Sequence, residues 1–315
     1  MLSYLLAVLA AGCNAASNIL QRKANRDEPA ELQMSLRLMI DLLHRPVWLA
    51  GLVTVIASFL LDGAALRFGR LAQVQPILVL ELPLTLVGAS MVFRSARLRR
   101  LDWTAILVMT AGLAGLIYFL DPSGPVRHAV PAVTWIVGTA ATAGAVAACV
   151  VAATRGGRNR RPALLGLGAG ICFGLTAAFM KSATGALHHG AAGVFESWST
   201  YAMVASGLVA MFLMQNALQA GRLIAAQPGI TLADPGVAIL WGVFAFGERV
   251  RGGAYAAGAV AGGLAVAVGV VLMSRSPLLA DQATENEDRA TESEDRATES
   301  EDRAAEREHR AAQES

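Results

Sequence analysis

Three carboxylates fall inside stretches of this sequence that are otherwise apolar enough to cross a bilayer: Asp62, Glu81 and Asp234. An ionised acid at the centre of a spanning helix costs about 3 kcal/mol on insertion scales, so such residues face protein or water and mark a pathway. Glu81 and Asp234 each stand beside a proline, Pro83 and Pro235, which cannot donate to the carbonyls of Val79 and Thr231. Helix breaks are expected at Pro76, Pro83, Pro228 and Pro235, and the polar backbone atoms that become available next to each acid suit capture and release of a cation or a proton at membrane depth. Asp62 is a third intramembrane acid whose role is either functional or structural.

Amides and lysines complete the set. Gln75 and Gln227 adjoin Pro76 and Pro228, and Asn14 and Asn18 share one face of the first apolar run. These amides line a cavity or join helices by hydrogen bonds. Lys23 and Lys181 are the only lysines, against 24 arginines. Terminal lysines commonly snorkel to the interface, but arginine fills that role elsewhere in this chain, so gating or contact with an anionic group is the competing reading. His188 and His189, with Glu196 nearby, lack the spacing and further ligands of a metal site. A divalent cation that keeps several waters needs only one or two carboxylates, which Glu81 and Asp234 could provide. The sequence has no Walker A motif and no nucleophile with His and Asp in register, so neither an ATP-driven pump nor an enzyme is expected, and no cofactor is implied.

The two proline-flanked acids sit in a duplicated stretch. Residues 65 to 76 read ALRFGRLAQVQP and residues 217 to 228 read ALQAGRLIAAQP, seven identities in twelve positions at a constant offset of 152. At an offset of 158, AGCNAASNILQRKA (11 to 24) aligns with AGICFGLTAAFMKS (169 to 182), which pairs Lys23 with Lys181. Asp62 pairs with Met214, so the duplication does not extend to it.

The elements that must position these residues follow from hydropathy. Hydrophobic residues make up 55% of the chain and charged residues only 16%, against roughly 25% in soluble domains. Mean hydropathy is +0.49, the value of a membrane protein. Nine stretches have the ~20 apolar residues a span requires: 3 to 20, 47 to 66, 72 to 93, 103 to 120, 131 to 153, 163 to 184, 198 to 217, 222 to 246 and 253 to 274. The segment 34 to 46, interrupted by Arg37, Asp41 and His44, suits an interfacial helix, and ten spans result if it crosses. Cys13, Cys149 and Cys172 lie within apolar runs and behave as small hydrophobes. No cleavable signal peptide is expected, because a basic n-region and a small-residue cleavage site are missing.

Loop arginines and lysines orient the bundle. With nine spans, one side collects fifteen bases, including Arg22, Lys23, Arg99, Arg100, Arg160 and Arg222, and the other only Arg67, Arg70, Arg127, Arg249 and Arg251. The amino terminus is therefore expected outside and the carboxyl terminus in the cytoplasm, in the cell membrane. The expected fold is an all-α integral membrane protein of two four-helix repeats, inverted because a single linker helix separates them. Residues 1–130 form the first repeat, 131–162 the linker helix and a cytoplasmic loop, and 163–276 the second repeat. Glycines at 166, 170 and 174, and Ala257, Ala261, Ala265 and Gly269, supply small faces for helix packing. Residues 277–315 form an acidic tail, built on a seven-residue repeat whose recurrent apolar residue is alanine. Such a tail is expected to be disordered and solvated, with a cytoplasmic partner as the alternative.

These residues resemble the drug/metabolite transporter superfamily, in particular EamA-type domains. The likeness is strongest over 227 to 273, where mid-helix Pro235 is followed by Gly247-Glu248 and a Gly/Ala-rich last helix. Lys23 and Lys181 match the lysine that commonly closes the first helix of each family repeat. Residues 1–120 are similar to the NIPA-type branch, associated with magnesium, through Gln21-Arg22-Lys23 and an early broken third span. The resemblance covers about residues 1 to 276 and departs from the family's five-plus-five helices in its short second helix and its linker. It implies a secondary transporter of a small solute. Three intramembrane acids favour a cationic solute or proton coupling; a magnesium or divalent cation transporter and a membrane scaffold with a partner-binding tail are the alternatives. The expected partners are the lipid bilayer, the solute and a second copy of the chain, and no nucleic acid.

Overall fold

The computed structural model of the chain describes residues 1–26, 46–92, 98–124, 127, 130–155, 157, 160–220 and 223–274. Almost all of these are helical, and no strand forms among them. In chain order the helices are α1 (Leu2–Arg26), α2 (Pro46–Phe68), α3 (Leu71–Leu78), α4 (Glu81–Val92), α5 (Arg100–Leu120), α6 (Ala132–Arg155), α7 (Arg161–Gly185), α8 (Ala191–Glu196), α9 (Trp198–Gln219), α10 (Leu223–Phe244) and α11 (Ala254–Ser274). A 3₁₀ turn, Ala186–His189, follows α7. Segment 34 to 45 and the tail from 277 lie outside the described residues.

Eight elements among the described residues are long and apolar enough to cross a membrane: α1, α2, α3 with α4 as Leu71–Val92, α5, α6, α7, α9 and α11. The remaining expected span forms as α10, also 22 residues long, whose apolar run is diluted by Gln227, Asp234 and two internal prolines. Large apolar side chains such as Ile56, Leu60, Leu107, Ile136, Leu208, Phe212 and Leu264 point outward. A water-facing surface would not tolerate so continuous an apolar exterior, whereas hydrocarbon requires it. The structure is that of an all-α multi-pass membrane protein.

Close helix contacts follow the small residues. A Cβ at Gly166, Gly170 or Gly174 of α7 would lie 2.5–2.7 Å from the carbonyl oxygens of Ala226, Ile230 and Asp234 of α10, so only glycine allows that approach. In α11 the expected stripe makes contact in its second half, Ala265 against Gly112 and Gly269 against Met109 of α5. Gly258, Gly262 and Gly269 abut Phe119, Leu116 and Met109 of α5, while Ala257 and Ala261 are exposed. Near the start of α11 it is the glycines next to Ala257 and Ala261 that allow the close approach. Ser17 Oγ donates to Gly51 O at 3.0 Å and Ser58 Oγ to Ala10 O at 2.8 Å, which pins α1 antiparallel to α2. Within the span of α7, 67% of residues are buried, against 11% in α6, so α7 is the central post and α6 a peripheral helix. Trp135 tethers α6, stacking on Phe179 of α7 and Trp241 of α10 with ring centroids 5.1 and 5.0 Å apart.

The two proline-containing spans differ. After α3 the ladder gives way to shorter-range bonds, Val79 N to Pro76 O and Leu80 N to Ile77 O, and α4 begins at Glu81. In α10 the expected breaks at Pro228 and Pro235 do not occur, and the helix runs through both. A proline removes one ladder bond and bends a helix without having to end it, and the flush contact with α7 supports α10 through both sites.

The α2–α3, α5–α6 and α10–α11 junctions meet at one end of the bundle. Ser123 and Arg249 exchange backbone hydrogen bonds of 2.7 and 3.0 Å, an antiparallel bridge between two of these junctions. Arg127 N donates to Phe246 O at 2.9 Å, and Arg70 Nη2 to Gly124 O at 2.8 Å.

Candidate functional site in the membrane interior

Glu81 stands at the midpoint of Leu71–Val92 and Asp234 at the midpoint of α10, so both acids reach the same depth on different elements. Glu81 is the first residue of α4, projecting from the interruption in its span. Its carboxylate accepts a hydrogen bond from Asn14 Nδ2 of α1. Gln75, buried in α3, lies beside Asp62 of α2. Asp234 lies within electrostatic reach of both Asp62 and Glu81. Two acids of the first half, one of them the acid the duplication left unsupported, thus come within reach of Asp234.

All three lie deep in the molecule and are half-buried. Oδ1 of Asp62, Oδ1 of Asp234 and Oγ1 of Thr85 are buried without a hydrogen-bond partner. Thr85 sits one helical turn beyond Glu81. Buried polar atoms are nearly always satisfied, and each exception calls for an explanation. Here what satisfies the two carboxylates must come from outside the protein, as a proton, water or a cation.

The other expected residues divide. Asn18 is exposed one turn from Asn14, so only Asn14 joins the acids. Gln227 is half-buried and its Nε2 donates to Thr231 Oγ1 within α10 at 3.4 Å, a local contact that turns it from the carboxylates. Pro76 and Pro83 flank the interruption before Glu81, whereas Pro228 and Pro235 lie inside a continuous helix. Lys23 and Lys181 are not equivalent: Lys23 is exposed at the end of α1, while Lys181 is buried. His188 holds a turn through Nδ1 and Gly185 O, 2.6 Å apart. Among the described residues no group of three or more His, Cys, Asp or Glu is placed to hold a metal ion.

Lys181 leads to a residue that sequence reasoning missed. Its Nζ donates to Gly69 O at 2.7 Å and lies 3.5 Å from Glu248 Oε1, with both side chains almost wholly buried. Glu248 in turn accepts from the backbone N–H groups of Leu71 and Ala72 at 2.7 and 2.9 Å. The carboxylate therefore caps α3, whose N-cap residue Arg70 supplies no side-chain bond. Gly242 leaves room for it, since a Cβ there would fall 2.5 Å from Glu248 Oε2. The one available signal was Gly247, which has φ +68° and turns the chain so that the next side chain points inward.

No family model matches the chain, and no solved structure matches it. It is 30% identical over 263 residues to an uncharacterized protein of Corynebacterium glutamicum, an alignment that covers 80% of this chain and 88% of that protein.

Proposed function

Because the chain belongs to the same family as that uncharacterized Corynebacterium glutamicum protein, whose name states no activity, we propose a function from the site: secondary transport of a small cationic solute, or of a solute together with protons. The observation that carries the proposal is the convergence of Asp62, Glu81 and Asp234 at membrane depth, with two carboxylate oxygens left unpartnered. A carboxylate cluster of that kind binds positive charge favourably, and part of its surface can be reached, so binding is compatible with release.

Alternating access by the two halves is the mechanism we attach to this site. Its support is the recurrence of element bounds. Leu71–Val92 and α10 (Leu223–Phe244) are related by the same shift of 152 that relates the duplicated stretches. Pro46 and Trp198, which open α2 and α9, are related by it too. Packing recurs as well: α1 lies against α2 and the α3–α4 span, as α7 lies against α9 and α10. These correspondences favour two inverted copies and the superfamily resemblance drawn from the sequence. Asp62 and Glu81 come from the first copy and Asp234 from the second, so a bound cation would be held across the interface between them.

Proteoliposomes of the purified full-length protein, screened with radiolabelled organic cations, amino acids and magnesium, identify the solute. Glu81→Gln and Asp234→Asn are each expected to reduce that flux at least about tenfold, the loss expected when a charged binding partner is removed, while the protein elutes as before. Wild-type flux in both variants would refute the site.

A further inference from the structure

We infer that Lys181 and Glu248 are the gate residues of one mouth of the transport pathway, and that the three junctions they tie together must part for solute to pass. The inference rests on the transport reading above and concerns residues outside the acid cluster.

The pair bridges the proposed halves. Lys181 belongs to α7 and Glu248 to the α10–α11 junction, yet their bonds end on the α2–α3 turn of the other half. Lys181 Nζ reaches Gly69 O at 2.7 Å and Leu66 O at 3.4 Å, at the carboxyl end of α2. Glu248 holds Leu71 N and Ala72 N at the amino end of α3. A cation on the negative end of one helix and an anion on the positive end of the next both gain from the helix dipoles. Each of these elements leads to one of the acids: α2 carries Asp62, the span opened by α3 carries Glu81, and α10, which enters the Glu248 junction, carries Asp234. A shift of α2, α3 or α10 on solute binding is transmitted directly to the pair.

Outside the pair the mouth is covered by a seam. Ser123 and Arg249 form their backbone bridge, Arg251 Nη2 meets Asp121 Oδ2 at 2.5 Å, and Gln73 Nε2 reaches Pro122 O at 3.2 Å. Most of these contacts are polar, and that is the physical argument for a gate. An apolar plug of equal size would stabilise the closed form as well or better. When this seam parts, however, water replaces its hydrogen bonds and hydrates both ions, so opening exposes groups that water satisfies. Arg67, Arg70, Arg127, Arg249 and Arg251 lie at this end, the side that the charge bias assigns to the outside.

Two arms of one experiment test the gate in full-length protein with Cys13, Cys149 and Cys172 changed to alanine. In the first, Thr85→Cys reports access to the site through its reaction with a membrane-impermeant methanethiosulfonate added on the seam side of sealed vesicles. Lys181→Met and Glu248→Gln are expected to raise that rate at least about tenfold, as a shift toward the open form requires. Lys181→Arg should restore the low rate, and the rate from the opposite side should persist in all variants as evidence of folding. An unchanged seam-side rate in both gate variants overturns the inference. In the second arm, a disulfide between Ser123→Cys and Arg249→Cys should abolish solute flux until it is reduced; full flux with the disulfide intact overturns it equally. If access changes as expected while no solute is carried, the gate stands and the transport reading fails.

Discussion

Glu81 and Glu248 are the same residue type in opposite circumstances, and the difference lies in what each touches. Glu248 has a lysine and two backbone N–H groups on its oxygens, so it is saturated and holds parts together. Removing one partner of such a buried pair leaves the other uncompensated, so Glu248→Ala should lower unfolding stability by about 3 kcal/mol, read from denaturant or thermal unfolding in detergent. Glu81 receives one amide donor, Asn14, and has another acid, Asp234, as a neighbour. Asn14→Ala should therefore change transport more than stability, with a flux loss of about tenfold, the worth of a hydrogen bond to a charged group. Unchanged flux would remove Asn14 from the site. The sequence marked Glu81 and Asp234 because ionisable residues in apolar runs stand out at any position. It could not mark Glu248, which follows the end of its span like many surface acids and becomes buried only when the α2–α3 turn arrives from 176 residues away.

Helix contact at α7 and α10 depends on the absence of side chains. Gly170→Leu must separate the two helices, since even a Cβ there would lie 2.6 Å from Ile230 O. The expected result is a loss of at least 1–3 kcal/mol, about the cost of overpacking a close contact, seen as a lower midpoint of thermal aggregation. Gly185→Ala, where a Cβ meets nothing within 4 Å, should be neutral and serves as the control. The α7 stripe was legible from sequence because three glycines at one spacing have one reading. The α11 stripe was legible in its second half only, because near the helix start alanines and glycines offer two faces, and the choice depends on where Phe119 of α5 stands. Interruption at Pro83 was equally legible, but the continuity of α10 was not, since proline chemistry is the same in both spans and the neighbouring helix decides the outcome.

At the scale of the whole molecule, the spans and their all-α character were readable from hydropathy alone, whereas the meeting of Asp62 with Asp234 was not, since Asp62 has no counterpart in the duplication. If transport is the function, the membrane part should suffice for it. Deleting residues 281–315 is expected to leave flux within about twofold, since their acidic, alanine-based repeat has the composition of a solvated tail, and a flux lost with the tail would favour the scaffold reading. One asymmetry in the bundle bears on direction. The Glu81 span is jointed between Leu78 and Glu81, while α10 crosses the same depth as a single rod laid against α7. Two inverted copies with identical mechanics would make the inward and outward strokes mirror images with equal rates. On the transport reading, a hinge on one side and a lever on the other would make the strokes unequal, so net movement under balanced concentrations would stay zero while the approach to that balance from saturating solute would be faster from one face than from the other.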